Sequence, residues 1–370
     1  KASIIMLVFT SIVITVLILL FSGPILHWMQ VPEIIFSETK IYLLIVGLFT
    51  IVLGLYMTFA AALRSYALMK EVVTASLAMN ILNIIGNMIL IKGFYLIPAL
   101  GVKGAAISTI ISKIVGLGVV IYIFRRKTDI EISKKYFVSF PKQTIKNLLH
   151  IGVPSALEEL SYNLSQTAIM RFVNIFGTMV ITTKVYCSIL ANFAYIYSIA
   201  ISQASQIVVS YLVGSFNLKL ASKRVWASLF VSMVISLSIT LFLYIFSDNI
   251  FGIFTKNPEI LSLGKKIIFV EFFLEIGRSI NIVMVRCLIA VEDVKFPAYM
   301  CIFSAWTFGV GFGYIFGVIM DMGLVGIWIG MAMDECIRGT LLILRFRSLG
   351  WTKKVHNKRK EEKCIQNHKL

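Results

Sequence analysis

Three stretches place ionisable and hydrogen-bonding residues at helical spacing inside otherwise apolar sequence: Ser155, Glu158, Glu159, Tyr162 and Gln166; Glu271, Glu275, Arg278 and Asn281; and Asp334, Glu335 and Arg338. Steps of three and four residues put each set on one face of a helix. An ionisable group at the centre of a membrane-spanning helix costs about 2.5–3.5 kcal/mol on insertion scales, so such groups face a cavity or a partner. Carboxylates around a cavity can bind a cation or a proton in exchange for a substrate. The competing reading is helix-to-helix ion pairing, because Glu275 can meet Arg278 one turn later and Asp334 can meet Arg338. Glu158 and Glu159 have no obvious basic neighbour, which favours a cavity role for them. Glu158, Glu159 and Glu275 are candidate Na+ ligands, and Glu271 and Glu335 are placed toward the membrane interfaces.

Uncharged polar residues mark the first part of the chain, with Asn80, Asn83 and Asn87 on one helical face and Ser108 and Thr109 on the next helix. Hydrogen bonding between close-packed helices accounts for them at least as well as ligand contact. No catalytic constellation is present: His27, His150, His356 and His368 are scattered, and the five cysteines share no metal-ligand or paired spacing. The chain is therefore expected to be no enzyme, to carry no cofactor beyond a coupling ion, and to keep its cysteines as free thiols packed like small hydrophobes. Gly101-Val-Lys-Gly104 and Gly323-Leu-Val-Gly326 open apolar helices with no preceding strand, so they serve tight turns and close packing rather than phosphate binding.

The elements that position these residues are membrane spans. Of the 370 residues 58% are apolar and 14% charged, and a mean hydropathy of +0.89 is too high for a soluble domain. A span needs roughly 20 mostly apolar residues. That rule gives ten candidates: 2–27, 41–63, 72–91, 102–123, 148–176, 185–213, 225–246, 267–291, 296–319 and 322–343. The net charge of +17 resides in loops and in the tail, a pattern of membrane topology and anionic-lipid contact rather than of nucleic-acid binding. Arg64 with Lys70, the basic stretch 125–147, Lys219 with Lys223 and Arg224, Arg286 with Lys295, and the tail all fall on one side, which is then cytoplasmic. Lys92, Lys103, Lys184, Lys256, Lys265 and Lys266 are exceptions.

An internal repeat organises the whole. Val31-Pro-Glu-Ile-Ile35 recurs as Asn257-Pro-Glu-Ile-Leu261, Leu63 to Lys70 as Leu288 to Lys295, Leu100-Gly-Val-Lys-Gly104 as Met322-Gly-Leu-Val-Gly326, and Phe124-Arg125 as Phe346-Arg347. The order and the offset are kept, so the halves are parallel copies, each with an even number of helices. Two helices of the second copy, 148–176 and 185–213, have no counterpart ahead of Lys1, which implies a parent of six plus six helices. The expected fold is an all-α membrane protein of two pseudo-symmetric bundles. Its parts are the remainder of a first lobe (1–124), a basic cytoplasmic linker (125–147), a second lobe (148–347) and a basic cytoplasmic tail (348–370).

Asn80-Ile-Leu-Asn-Ile-Ile-Gly-Asn87 followed by Leu100-Gly-Val-Lys-Gly-Ala-Ala-Ile-Ser-Thr109, Ile151-Gly-Val-Pro-Ser-Ala-Leu-Glu-Glu159 after the linker, and Gly323-Leu-Val-Gly-Ile-Trp-Ile329 near the end resemble the multidrug and toxic compound extrusion (MATE) transporters. The resemblance runs over nearly the whole chain, from what looks like that family's third helix to its twelfth. It implies a monomeric, multi-pass exporter of cationic amphipathic compounds in a bacterial inner membrane, working by alternating access and driven by Na+ or H+. Some members use an embedded aspartate in the first lobe where this chain has Asn87, and asparagine cannot relay a proton. Coupling is then expected to rest on Glu158, Glu159 and Glu275. The alternative within the same superfamily is a flippase for a lipid-linked oligosaccharide, which calls for a larger and more cationic cavity.

Overall fold

The computed structural model describes residues 2–28, 33–93, 98–128, 142–348, 350–352 and 355, and every regular element among them is helical. Most of the linker, 129–141, lies outside the described residues, as do 349, 353–354 and 356–370 of the tail. The chain divides into two compact units, Lys1–Leu148 and Leu149–Leu370. The first holds α1 (Ala2–Trp28), α2 (Glu33–Leu48), α3 (Thr50–Ser65), α4 (Met69–Lys92) and α5 (Gly101–Lys127). The second holds α6 (Lys142–Ile175, which begins just ahead of the boundary), α7 (Thr178–Gly214), α8 (Leu218–Ile245), the short α9 (Ser247–Phe254) and α10 (Pro258–Ala290). It continues with α11 (Lys295–Ser304), which runs on through π-helical turns at Ala305–Phe312 and Ile315–Ile319, and closes with α12 (Gly323–Arg347).

Six of these helices, counting Lys295–Ile319 as one, are long and apolar enough to cross a membrane, and the α2–α3 pair makes a seventh if it is one bent span. Helices α6, α10 and α12 contain 34, 33 and 25 residues, ample length for a bilayer. They differ from the others in carrying the charged residues singled out above. The large hydrophobics left exposed, such as Phe9, Leu20, Met88, Phe230 and Ile253, suit contact with lipid. The chain is a multi-pass membrane protein.

Two spans depart from the straight helices expected. The span 41–63 begins earlier, at Glu33, and bends by 48° between Leu48 and Thr50. At the bend the Gly47 carbonyl accepts hydrogen bonds from Thr15 at 3.0 Å and Thr50 at 2.8 Å. Hydroxyls that bond a helix carbonyl in this way favour bending. The other is 296–319, whose second half is wound as π-helix around Gly309, Gly313 and Gly317.

The repeat is visible in the backbone of each unit. Ala67 and Glu292 both adopt a left-handed conformation, at φ 58° and 61°, and both turns are closed by the same bond, Leu68 N to Leu63 O and Asp293 N to Leu288 O. This is the six-residue closure of a helix C-terminus. Gly101 and Gly323 are likewise left-handed, at φ 54° and 59°. The glycines three residues on permit close approach: a Cβ on Gly104 would sit 2.3 Å from the Leu90 carbonyl oxygen, and one on Gly326 would sit 2.6 Å from Phe316.

The first unit is cored by Tyr56, Phe59, Leu63, Ala75, Val120 and Phe124. The second has two apolar clusters, one around Ile267, Leu274, Leu324 and Trp328 and the other around Val225, Met284, Leu288 and Phe346. Between them, on α10 and α12, lie the buried charges.

Candidate functional site

Helix α10 approaches α12 almost without side chains between them, because a Cβ on Gly277 would lie 2.4 Å from the Cys336 nitrogen and one on Gly339 would lie 3.1 Å from the Gly277 oxygen. This approach brings two charged sets together. On α10, Arg278 Nη1 donates to Glu271 Oε1 at 2.6 Å and to Glu275 Oε2 at 3.1 Å. Trp328 of α12 donates through Nε1 to the remaining oxygen of Glu271 at 2.6 Å. On α12, Arg338 Nη2 lies 2.9 Å from Glu335 Oε1 and 3.4 Å from Asp334 Oδ2. Asn281 of α10 donates to Glu335 Oε2 at 2.6 Å, which joins the two sets. Ser304 donates to Asp334, and Arg338 Nη1 contacts Cys301 Sγ at 2.9 Å. Each arginine also lies over a tyrosine ring, Arg278 at 4.9 Å from Tyr195 and Arg338 at 5.8 Å from Tyr162. In a low-dielectric interior such an arrangement holds only because nearly every charge has a partner.

In front of this network opens a cavity of about 470 Å3 within the second unit. Glu158, Glu159, Tyr162 and Gln166 of α6 form one wall, Asn192 and Tyr195 of α7 another, and Arg278, Asn281, Arg286, Glu335 and Arg338 the third. The polar stripe on α6 therefore faces the interior of the second bundle. Neither Glu158 nor Glu159 has an ion-pair partner among the described residues; Glu159 accepts only a 3.4 Å bond from Asn163 one turn on. The cavity is mixed in character, with the rings of Tyr162 and Tyr195 beside the charges.

Several expectations need correction. Glu275 does not line the cavity: it is fully buried behind the wall, held by Arg278, Ser236 and Ser279. Asp334 borders only a gap of about 10 Å3 beside Tyr162 and Gln166. Glu158, Glu159 and Glu275 do not converge on one Na+ site, and among the described residues no three Asp, Glu, His or Cys side chains are grouped to hold a metal ion. The physical reason is direction: Glu275 points from α10 toward α8, whereas the α6 acids point into the cavity. Glu271 and Glu335 are central members of the buried network.

In the first unit Asn83 donates to Ser108 at 3.4 Å and to Thr109 at 3.3 Å, Ser108 returns a bond to the Asn83 carbonyl, and Asn87 donates to Asn83. These residues tie α4 to α5. Asn80 is exposed, and Asn87 Oδ1 is buried without a partner. Thr109 also borders a gap of about 30 Å3 shared with Thr50 and Lys113.

Three features lie beyond the reading of the sequence alone. Lys113 lies midway along α5 and is half-buried. Tyr195 and Asn192, on the cavity wall, are two among many polar residues of α7, and nothing in their spacing sets them apart. The third is a seam of buried hydroxyls, Ser198, Ser202 and Ser205 on α7 facing Ser228, Ser232, Ser236 and Thr240 on α8. Its three- and four-residue spacing is present in the sequence, but serine is commonplace in spans and the spacing alone does not mark a site.

Comparison with known proteins bears on the whole arrangement. The sequence profile of the MatE family matches residues 1–89 and 154–315. The uncharacterized transporter YisQ of Bacillus subtilis is 37% identical over 94% of this chain and 76% of its own length. The probable multidrug resistance protein NorM of Thermotoga maritima is 25% identical over 95% of this chain and 76% of its own. A crystal structure of the Vibrio cholerae MATE transporter VcmN in the bent form superposes with a TM-score of 0.82 at 20% identity, covering 96% of this chain and 78% of that one.

Proposed function

The chain belongs to the MatE family of multidrug and toxic compound extrusion transporters, and from that premise we infer that it exports cationic, amphipathic organic compounds across a bacterial cell membrane in exchange for Na+ or H+. The observation that carries the reading is the charge around the cavity. Six carboxylates, Glu158, Glu159, Glu271, Glu275, Asp334 and Glu335, line it or stand directly behind its wall, against three arginines, Arg278, Arg286 and Arg338. Arg278 and Arg338 are already engaged by two acids each. The free acids facing the cavity are Glu158 and Glu159, with the Tyr162 ring beside them and Tyr195 on the neighbouring wall. That combination suits a flat organic cation, which gains from carboxylate and aromatic face together.

In this reading substrate enters from the cytoplasm, settles its charge beside Glu158 and Glu159, and leaves outward as a coupling ion binds the acid network. An ion moving inward gains about 2.3 kcal/mol per charge per 100 mV. The test is efflux of a cationic dye from vesicles holding the reconstituted protein, under imposed Na+ and H+ gradients. Gradient-driven efflux that falls at least tenfold in Glu158→Gln/Glu159→Gln supports the reading. Efflux absent under both gradients, with folded protein present, defeats it.

A further inference from the structure

Helix α8 buries Val225, Leu229, Ser232, Ser236 and Thr240 along one side. Its other side is exposed in one continuous stripe. Lys219, Lys223, Phe230, Val234, Leu241 and Ile245 follow one another at steps of four and seven residues, which puts them on one face, and all six are exposed. Two cations therefore head a run of bare hydrocarbon. At a rise of 1.5 Å per residue, Phe230 and Val234 lie about 10 Å and about 16 Å along the helix from Lys223. That is the depth of one leaflet in a bilayer whose apolar core is about 30 Å thick.

The charged end of the stripe has a fixed frame. Arg347, in the last turn of α12, lies over the Trp226 ring at 5.2 Å, and Trp226 is one turn beyond Lys223 on α8. Trp226 meets the Phe346 ring edge-on at 6.1 Å, Phe346 stacks on Trp351 at 5.3 Å, and the Trp351 Nε1 donates to the Phe346 carbonyl at 3.2 Å. These aromatics settle where Arg347 stands, and a guanidinium over a ring keeps its edge donors for an anion. None of Lys219, Lys223, Arg224 and Arg347 takes part in an ion pair among the described residues. Helix α8 carries no acid, and Asp293, beside the last turn of α12, is bound by Arg345 at 2.8 Å.

We propose that this corner of the second unit binds one anionic phospholipid, its phosphate held by Lys219, Lys223 and Arg347 and an acyl chain lying along Phe230 and Val234. A phosphodiester offers its oxygens to lysine and arginine donors, and tryptophan belongs at the level of the headgroups. Each basic residue beside an anionic lipid surface is worth about fivefold in affinity. A free phosphate would meet the cations but gain nothing from the apolar stripe. A zwitterionic lipid would use the stripe but bring its own cation against Lys223 and Arg347. The bound lipid ties the start of α8 to the end of α12, and the site is independent of what the cavity exports.

The test is titration of the full chain, in an uncharged detergent, with phosphatidylglycerol and with phosphatidylcholine of the same acyl chains, read as lipid retained on the intact protein by mass spectrometry. One phosphatidylglycerol should be held at least tenfold more tightly than phosphatidylcholine. That preference should fall below threefold in Lys223→Gln/Arg347→Gln and stay within threefold of the wild type in Lys223→Arg/Arg347→Lys, which keeps both charges. It should stay within twofold in Lys256→Gln/Lys266→Gln, which removes as much charge beyond the far end of α8. All four positions are exposed, so the fold does not depend on them. Glycerol phosphate at the same concentration should leave the lipid in place. Equal retention of the two lipids by the wild type, or a preference that survives Lys223→Gln/Arg347→Gln, would overturn the site. So would displacement by glycerol phosphate, which makes the ligand a free phosphate, or an equal loss in Lys256→Gln/Lys266→Gln, which reduces the effect to overall charge.

Discussion

At the scale of single residues, the account turns on arginines that are needed because of the acids around them. Removing Arg278 strands Glu271 and Glu275 in the interior, and breaking a buried pair in this way costs about 3–5 kcal/mol. Arg278→Ala should therefore lower the thermal midpoint in detergent sharply, more than any single Glu→Gln change in the network. Trp328→Phe removes one charge-assisted bond to Glu271 and keeps the ring, so a loss of about 1.5–3 kcal/mol is expected in the same melt. An unchanged midpoint in either variant would show that the network does not hold as described. Sequence spacing is enough to pair Glu275 with Arg278 and Asp334 with Arg338, because both lie within about one helical turn. It cannot reveal that Trp328 and Asn281 complete the network, since those bonds run between α10 and α12, more than fifty residues apart in sequence.

At the scale of elements, the site exists because α10 and α12 touch backbone to backbone. Gly277→Ala places a methyl against the Cys336 nitrogen, and overpacking of this kind costs about 1–3 kcal/mol. It should also reduce dye binding, since the cavity wall moves with α10. Gly118→Ala on α5 meets nothing within 4 Å and should be neutral or gain about 0.5–1 kcal/mol from the helix preference of alanine. The pair is read by thermal unfolding and dye titration, and equal behaviour of the two variants would contradict the packing argument. Apolar run length makes the helices legible, and the repeat makes the turns at Ala67 and Glu292 legible as equivalents. The bend after Leu48 is not, because it depends on Thr15 reaching the Gly47 carbonyl from a neighbouring helix. The orientation of Glu275 is hidden for a related reason: a helical face can be read from spacing, but which neighbour it meets cannot.

At the scale of the whole molecule, the expected sense of insertion rests on the basic loops. A cysteine introduced at Asn217, beside Lys219, Lys223 and Arg224, should react with a membrane-impermeant maleimide only after the membrane is opened, whereas one at Asn257 should react in intact cells. Reversed labelling would invert the topology and with it the direction of export. The claim on which the rest depends is that the second unit binds organic cations beside Glu158 and Glu159. The most direct measurement is binding of a planar organic cation and of its neutral isostere to wild type and to Glu158→Gln/Glu159→Gln. The account predicts that the wild type prefers the cation at least tenfold and that the variant binds the two alike. A preference for the cation that survives loss of both carboxylates would contradict it.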